Sequence, residues 1–526
     1  MKKFLNWLKN NWLLALVVVI GGLLRCYRLE NMATFGGDQG VDYQNVARMI
    51  VEKRLSLLGP VTHVGVFLGP LYYYLLIPFF LIFKFDPIAA PVMFAIFGTA
   101  TVGLVYILAK LLLRPGLAGQ GPAFVDTFAF FTALLYAVSP VILESSRAPS
   151  QPHLIPFFAT LLLISLIRIV RKTGKWWDWA LIGISLASVI QFHFLAFPLW
   201  IFTVVILIFS KGLALPSKAR PYMIFLIVPV VVLLSPWLLF ELRHNFFITN
   251  QVLIYLRSGE VSFSASNYFE RVLDLIWFSF DRLIGQGNQA VTAGAIILSM
   301  AGIVSTILSG KDGPLRERTV LIMFTFYFWL NIFGIALYRF PLSNHYVSAL
   351  YPVIILFFSV GIFQMIFNLP IFNLRSKALL CRVIFITFIT FIFLHNNLNS
   401  NHGYTMPEWV NTSFINKAAD TISQDFRKQS GTYNIVNTLD GDTRANPYRY
   451  VLTYKNKISP LGVERYSEAD HLYIISGNSI NELLDDKRWE LLSFPVGNIE
   501  ALGIIDGDVK MYRWDNGEAD RKDLKR

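Results

Sequence analysis

Two carboxylates stand four residues apart in Phe35-Gly36-Gly37-Asp38-Gln39-Gly40-Val41-Asp42-Tyr43, a short polar stretch after the first apolar segment. Most of the surrounding chain is hydrocarbon, and charge beside lipid is costly to place without a use. A carboxylate at a membrane surface can take a proton from a hydroxyl or amine nucleophile. Glycines on both sides of Asp38 permit a tight turn and a close approach of backbone to ligand. Asp42, Tyr43, Val46, Ala47 and Ile50 recur at helical spacing, which predicts a helix lying on the membrane directly after the loop. The plainer reading makes Asp38 a helix N-cap and Asp42 a helix-start acid favoured by the dipole.

Other reactive side chains fall in loops between apolar runs: Glu144, Arg147 and His153; Gln191 and His193; Arg243; Arg339 and His345. Arginine binds phosphate bidentately, and interfacial aromatic helices can admit a lipid tail. Together these residues suit a donor in which a sugar is carried on a polyprenyl phosphate. Asp38 would activate the acceptor, Asp42 would assist, and Arg147 would hold the leaving phosphate, with Arg243 and Arg339 as further phosphate contacts. One displacement at the anomeric carbon inverts its configuration. Each assignment has a structural alternative. Arg147 can snorkel at the interface, and Glu144 can pair with it at i, i+3. His153, His193, His244 and His345 lack the short spacing of a metal site, so interfacial hydrogen bonding is the preferred reading and a divalent cation is not favoured. Trp176, Trp177, Trp179 and Trp237 read as an aromatic belt. The sequon Asn411-Thr412-Ser413 reads as chance.

The elements that must carry these residues are transmembrane helices. The 526 residues are 55% hydrophobic and 15% charged, with mean hydropathy +0.52. That is too little charge for a soluble chain of this length, and apolar runs of membrane length recur. The net charge of +12 sits in short loops, as positive-inside bias requires, and is not a nucleic-acid footprint. Cys26 and Cys381 form no disulfide framework. Met1 to Leu24 has a signal-like start without a cleavage site, so it reads as an uncleaved first span with a cytoplasmic N-terminus.

Spans are predicted near 7–24, 88–109, 124–143, 154–170, 177–190, 194–210, 221–240, 292–309, 319–337, 346–367 and 377–395. The loops rich in Lys and Arg all fall on the N-terminal side only if the Pro-interrupted segment Phe67–Phe83 does not cross. An interfacial or half-inserted helix is therefore expected there, with eleven crossings elsewhere. Residues 266–285 form an amphipathic pattern. After about Asn396 the composition becomes that of a soluble α/β unit, with strands expected at Tyr433–Asn437, Tyr448–Tyr454, His471–Ser476 and Ile504–Trp514, and helices at Glu408–Arg427 and Ser479–Arg488. The domain reading is a membrane body over 1–395, with an outer loop at 25–87, and an extracytoplasmic α/β domain over 396–526.

The first four hundred residues resemble the membrane-embedded GT-C glycosyltransferases, in particular the branch of protein O-mannosyltransferases and aminoarabinose transferases. Gly37-Asp38-Gln39-Gly40-Val41-Asp42-Tyr43 sits where that branch carries an acidic motif, commonly Asp-Glu, in its first outer loop. Gly69-Pro70-Leu71-Tyr72-Tyr73-Tyr74 resembles its juxtamembrane helix. Ser139-Pro140 to Ser146-Arg147 with Pro152-His153, Gly183 to Gln191-Phe192-His193, and Asn344-His345-Tyr346 with Tyr351-Pro352 follow in the family's order. The motif's Glu is Gln39 here, and an amide cannot act as base or charged ligand; Asp42 could supply the second acid. The resemblance implies an α-helical polytopic membrane protein of GT-C type that uses a polyprenyl-phosphate sugar donor. Its acceptor would be an envelope glycan, lipid or protein, on the non-cytoplasmic face of a bacterial-type inner membrane. Tyr43 would join the substrate-binding set with Gln39.

Rival readings make different demands. A lipid-linked glycan ligase or polymerase would lean on Arg more than on a first-loop Asp. A transporter or flippase would place charge or broken helices at mid-membrane, where this chain has almost none. An outer-surface anchor would need neither eleven spans nor the Asp38 loop. No nucleotide fingerprint is present.

Overall fold

The computed structural model describes residues 9–62, 65–113, 122–211, 220–257, 265–308, 318–338, 341–368 and 410–517. Arg339, the expected span at 377–395 and the domain boundary near Asn396 lie outside them. The first helices are α1 (Trp12–Cys26), α2 (Leu29–Met32), α3 (Gly37–Glu52) and α4 (Leu71–Ile82). Then come α5 (Ala89–Leu112), α6 (Pro122–Val138), α7 (Pro140–Ser145), α8 (Ile155–Val170) and α9 (Trp176–Phe192). Next are α10 (Pro198–Lys211), α11 (Arg220–Arg243), α12 (Phe247–Arg257), α13 (Ala265–Phe280), α14 (Gln289–Leu308), α15 (Arg318–Ala336) and α16 (Tyr351–Asn368). Every expected span up to residue 367 coincides with helix. Among the described residues six helical stretches are long and apolar enough to cross a membrane: Ala89–Leu112, Gln151–Val170, Tyr222–Arg243, Gln289–Leu308, Arg318–Ala336 and Asn344–Ile366. The chain is an integral membrane protein.

The bundle has an inner and an outer part. The helix over Asn344–Ile366 is almost wholly buried by its neighbours, whereas no residue in the apolar window within Tyr222–Arg243 is fully buried by protein. That second helix packs along α9 and offers its remaining surface to lipid. Helices α14 and α16 touch backbone to backbone: a Cβ on Gly302 would stand 2.5 Å from the Cα of Gly361. Small residues allow such crossings in lipid, where packing rather than hydrophobicity holds helices together.

Helix α4 does not behave as a span. Its 12 residues reach about 18 Å at 1.5 Å per residue, short of a hydrocarbon core of about 30 Å. Both of its ends also meet the same face. At the start, the Tyr73 hydroxyl donates to Asp42 on α3 at 2.7 Å. Just past the end, the Phe85 carbonyl accepts from the Tyr450 hydroxyl at 2.9 Å, and Asp86 pairs with Lys455 at 2.8 Å.

The C-terminal unit is a four-stranded sheet of order β1-β2-β4-β3, built from β1 (Tyr433–Asn437), β2 (His471–Ser476), β3 (Gly497–Asp506) and β4 (Val509–Asn516). Strands β1 and β2 are parallel, and the other pairings are antiparallel. Helix α17 (Thr412–Phe426) flanks the sheet, capped by Asn411, whose side chain accepts from the Phe414 amide at 2.8 Å. Two expectations are corrected here. Tyr448–Tyr454 is not a strand: Asn446–Tyr450 forms helix α18, continued by a wide turn over Val451–Lys455. Pro447 at the first turn and the Asp442 carboxylate accepting from the Asn446 amide at 2.7 Å start that helix. Ile504–Trp514 is not one strand but the end of β3, a turn at Gly507-Asp508 and β4. The expected helix at Ser479–Arg488 is reduced to α19 (Ile480–Leu484), and α20 (Trp489–Leu492) follows it.

This unit sits directly on the segment between α1 and α4. The Phe35 amide donates to the Val410 carbonyl at 2.7 Å and the Thr412 amide to the Ala33 carbonyl at 3.1 Å. The Tyr43 ring stacks on Phe35 at 4.9 Å and meets Phe80 at 5.2 Å and Tyr450 at 5.4 Å. A Cβ on Gly40 would stand 2.4 Å from the Pro447 backbone nitrogen, so only glycine lets α3 and α18 lie this close.

Candidate active site

Helix α3 begins earlier than the residue pattern suggests. Gly36 is its N-cap, and the Gly36 amide donates to the Gln39 side-chain oxygen at 2.9 Å. An amide oxygen accepts this capping bond as a carboxylate would, which gives Gln39 a structural task that needs no charge. Asp38 therefore lies inside the first turn, exposed, and is not the cap. Asp42 follows one turn later on the same helix face, and it is buried, at 7% exposure.

The Asp42 carboxylate accepts from the Tyr73 hydroxyl at 2.7 Å, and Asn45 donates to that same hydroxyl oxygen at 3.4 Å. Burial pushes the Asp42 carboxyl up to about 7; the Tyr73 hydrogen bond opposes this, and the negative charge of Asp38 adds to it. The Tyr73 phenol is pushed up first by burial and then by the Asp42 charge, so it stays protonated and donates. Here is an acid that exchanges its proton near neutrality, beside a second acid that faces solvent.

A cleft of about 390 Å³ opens beside this pair, lined by Asn45, Arg48, Glu52, Arg54 and Tyr73 among others. Arg48 and Arg54 are exposed and form no ion pair among the described residues. Sequence reasoning passed over both. For Arg48 the signal was available: positions 38, 42, 45, 48, 49 and 52 share one face of the helix.

From α4 a polar seam continues through Gln191, His193 and His345. Gln191 is fully buried; its oxygen accepts from the Leu71 amide at 3.3 Å, and its nitrogen donates to Ala187 and Leu233 carbonyls at 3.0 and 3.1 Å. It ties the start of α4 to α9 and α11, which fully occupies its side chain. Two residues on, His193 accepts from the Leu195 amide at 3.2 Å. Its ring lies 5.6 Å from those of His345 and Tyr346, so His193 and His345 do come together. Ser343 fixes His345 through a 2.7 Å contact to Nδ1. Arg271 joins from α13: its guanidinium donates to the Tyr338 carbonyl at 3.3 Å, and the Tyr338 ring meets that of Tyr346 at 5.2 Å. Arg271 belongs to the amphipathic 266–285 pattern, where spacing alone assigns it no more than a polar face.

The remaining candidates separate. Arg147 is buried at 3% exposure, at the turn after α7. Arg25 is fully buried nearby and donates to the Gly21 and Ala137 carbonyls at 3.0 and 3.3 Å. Glu144 lies within electrostatic reach of Tyr351. His153 contacts the Ala148 carbonyl through Nδ1 at 2.7 Å, on a turn that packs against the segment carrying His345. Arg243 is exposed at the end of α11. Its neighbour Glu241 instead caps α12, accepting from the Ile248 and Thr249 amides at 2.7 and 3.0 Å. Among the described residues no three His, Cys, Asp or Glu side chains converge as metal ligands.

An apolar cleft of about 790 Å³ runs between α13, α14, α15 and α16. Its α14 wall extends from Ala293 to Ile307, about 21 Å at helical rise, so it follows the membrane for most of its depth. Asp274 lines it and interacts electrostatically with Arg271, which links the cleft to the His193–His345 cluster.

No family model and no curated protein sequence matches the chain. Solved structures do. ArnT from Cupriavidus metallidurans, in its apo state and bound to undecaprenyl phosphate, superposes with a TM-score of 0.56 at 11% identity. The match covers 97% of this chain and 98% of that one. The Archaeoglobus fulgidus oligosaccharyltransferase aligns over 88% of this chain and 67% of its own, with a TM-score of 0.46 at 12% identity, a likeness too loose to argue from. The fold is the GT-C fold, from the first span through the C-terminal sheet.

Proposed function

We propose that this GT-C chain is a membrane glycosyltransferase that moves a sugar from a polyprenyl phosphate to a hydroxyl or amine acceptor on the non-cytoplasmic face. The observation that carries the reading is the buried Asp42–Tyr73 pair one turn from exposed Asp38. The cleft with Arg48 and Arg54 beside the pair, and a lipid-length apolar cleft in the same bundle, add to this. That a protein of the same fold is solved with undecaprenyl phosphate supports the choice of donor.

The lipid chain lies in the cleft between α13 and α16, with its phosphate at the outer end beside Arg271 and the His193–His345 cluster. Asp38 and Asp42 take the proton from the acceptor as it attacks the anomeric carbon. The bond to the phosphate oxygen breaks and the lipid phosphate leaves as an anion, which Arg271 stabilises. A single displacement inverts the configuration. Tyr73 orients the Asp42 carboxylate, and Gln191 holds Tyr73's helix in place. His153 sits on the turn that packs against the segment carrying His345, and the positive-inside distribution of loop charge supports the face.

Transfer by the full chain in lipid nanodiscs, offered a panel of polyprenyl-phosphate sugars and an envelope acceptor fraction, tests the reading. Product formation that disappears in Asp38→Asn and Asp42→Asn is expected. Lipid movement without transfer would overturn it in favour of a flippase.

A further inference from the structure

A second polar cavity, of about 740 Å³, lies where the C-terminal sheet meets the segment between α1 and α4. Its size is that of a small-molecule site, about 300–1,000 Å³. Thr438 follows β1, and Gly477 and Asn478 follow β2, so the cavity opens beyond the carboxyl ends of two adjacent parallel strands. Ligands of α/β sheets gather at such crevices, because the chain there is free to turn polar groups outward. Asp506 and Asp508, at the tip of the β3–β4 hairpin, line it together with Asn31 and Asn411.

The chemistry of this lining is specific. Amides, a hydroxyl and carboxylates supply donors and acceptors at several angles, which suits a ligand dense in hydroxyl groups. Two carboxylates face one ammonium, that of Lys417, which is already bonded to the Ile505 carbonyl. The balance repels phosphate and carboxylate and accepts neutral or amine-bearing groups. The Thr438 hydroxyl is held in place by its 2.7 Å bond to Ser476. The lining residue Asn411 bridges to Thr34, and Asp38 lies four residues further on, at most about 14 Å away along the chain.

We propose that this cavity is an acceptor subsite that binds a neutral or amine-bearing saccharide and presents its end to Asp38. The inference rests on the glycosyltransferase reading and names the acceptor's chemical class. Binding sits on the C-terminal sheet, bond making on α3, and the Thr34–Asn411 bridge holds the two in register.

The test uses the purified full chain in detergent micelles. Glucose, N-acetylglucosamine, glucosamine, their β-linked dimers and glucuronate serve as probes in saturation-transfer NMR. At least one neutral or amino sugar is expected to bind saturably, and glucuronate is not. Asp506→Asn/Asp508→Asn and Asn478→Ala, on exposed turns, should each weaken binding tenfold or more. The acceptor KM should rise in parallel while kcat and donor hydrolysis stay unchanged. A panel without binding, or binding indifferent to these variants, overturns the subsite. With donor turnover intact, that result leaves the glycosyltransferase reading standing. Sugar binding without any donor turnover sinks that reading instead.

Discussion

The corner where α3 meets α4 and the cleft between α13 and α16 solve opposite problems. At the corner, recognition is by fixed polar atoms: Asp42, Tyr73 and Asn45 form a short hydrogen-bonded chain, backed by aromatic rings and closed by a docked sheet. In the cleft there is almost nothing to bond, only side chains such as Ile297, Met300 and Trp277 that leave a long apolar space. A displacement of under 1 Å would spoil the first and leave the second working, because dispersion is spread over many weak contacts while a charge-assisted bond depends on distance and angle. On the proposed reading, the corner sets the chemistry and the cleft selects the lipid.

The comparison is broken most directly at the corner. Asp42→Asn and Asp38→Asn should each lower kcat by about 10²–10⁴-fold, the range of general-base catalysis, with donor KM little changed in steady-state assays. Next is the hinge between the regions: Arg271→Ala removes a charged contact of about 1.5–3 kcal/mol. It should raise donor KM by roughly 10- to 100-fold. In the cleft, Met300→Trp should raise KM several-fold for a long polyprenyl donor and leave a two-isoprene analogue unaffected. Equal effects on both lipids would show that the cleft is not the lipid site.

The smallest effect is a shift in pH dependence. Since Asp42 is held near 7, the rate should rise as pH passes through that value. Tyr73→Phe removes the bond that opposes the upward shift, so its profile should move to higher pH. Stability follows the opposite course. The carboxyl ionises at about 7 in the folded chain against an ordinary value of 3.8, so the folded state holds the extra proton between the two. Unfolding free energy should then fall as pH climbs through that window and level off above it. Asp42→Asn should flatten the slope in thermal unfolding series.

Much of this arrangement was legible in the chain. The parity of basic loops kept Phe67–Phe83 on one face, and α4 is indeed too short to cross. Asp38 and Asp42 stood out because charge was scarce around them. The partner of Asp42 did not, because Tyr73 is 31 residues away and no periodicity relates one helix to the next. Gln191 looked like a ligand only because a buried amide and a binding amide share one residue type. Tyr448–Tyr454 looked extended because its aromatics alternate. Its helix is started by Asp442 and Pro447, outside that window. Arg48 lies on the helix face that carries both acids, whereas Arg54 follows the helix end at Lys53, where no periodicity points to it.

The closeness of Gly40 to Pro447 has a consequence for how the protein is made. About four hundred residues of chain separate the helix that bears both acids from its packing partner. Until that partner has been made, the helix lacks the surface that Gly40 lies against. A separately expressed 410–517 segment, targeted to the same compartment, should then be able to complete a truncated membrane body in trans, and a bulky side chain at position 40 should abolish that rescue.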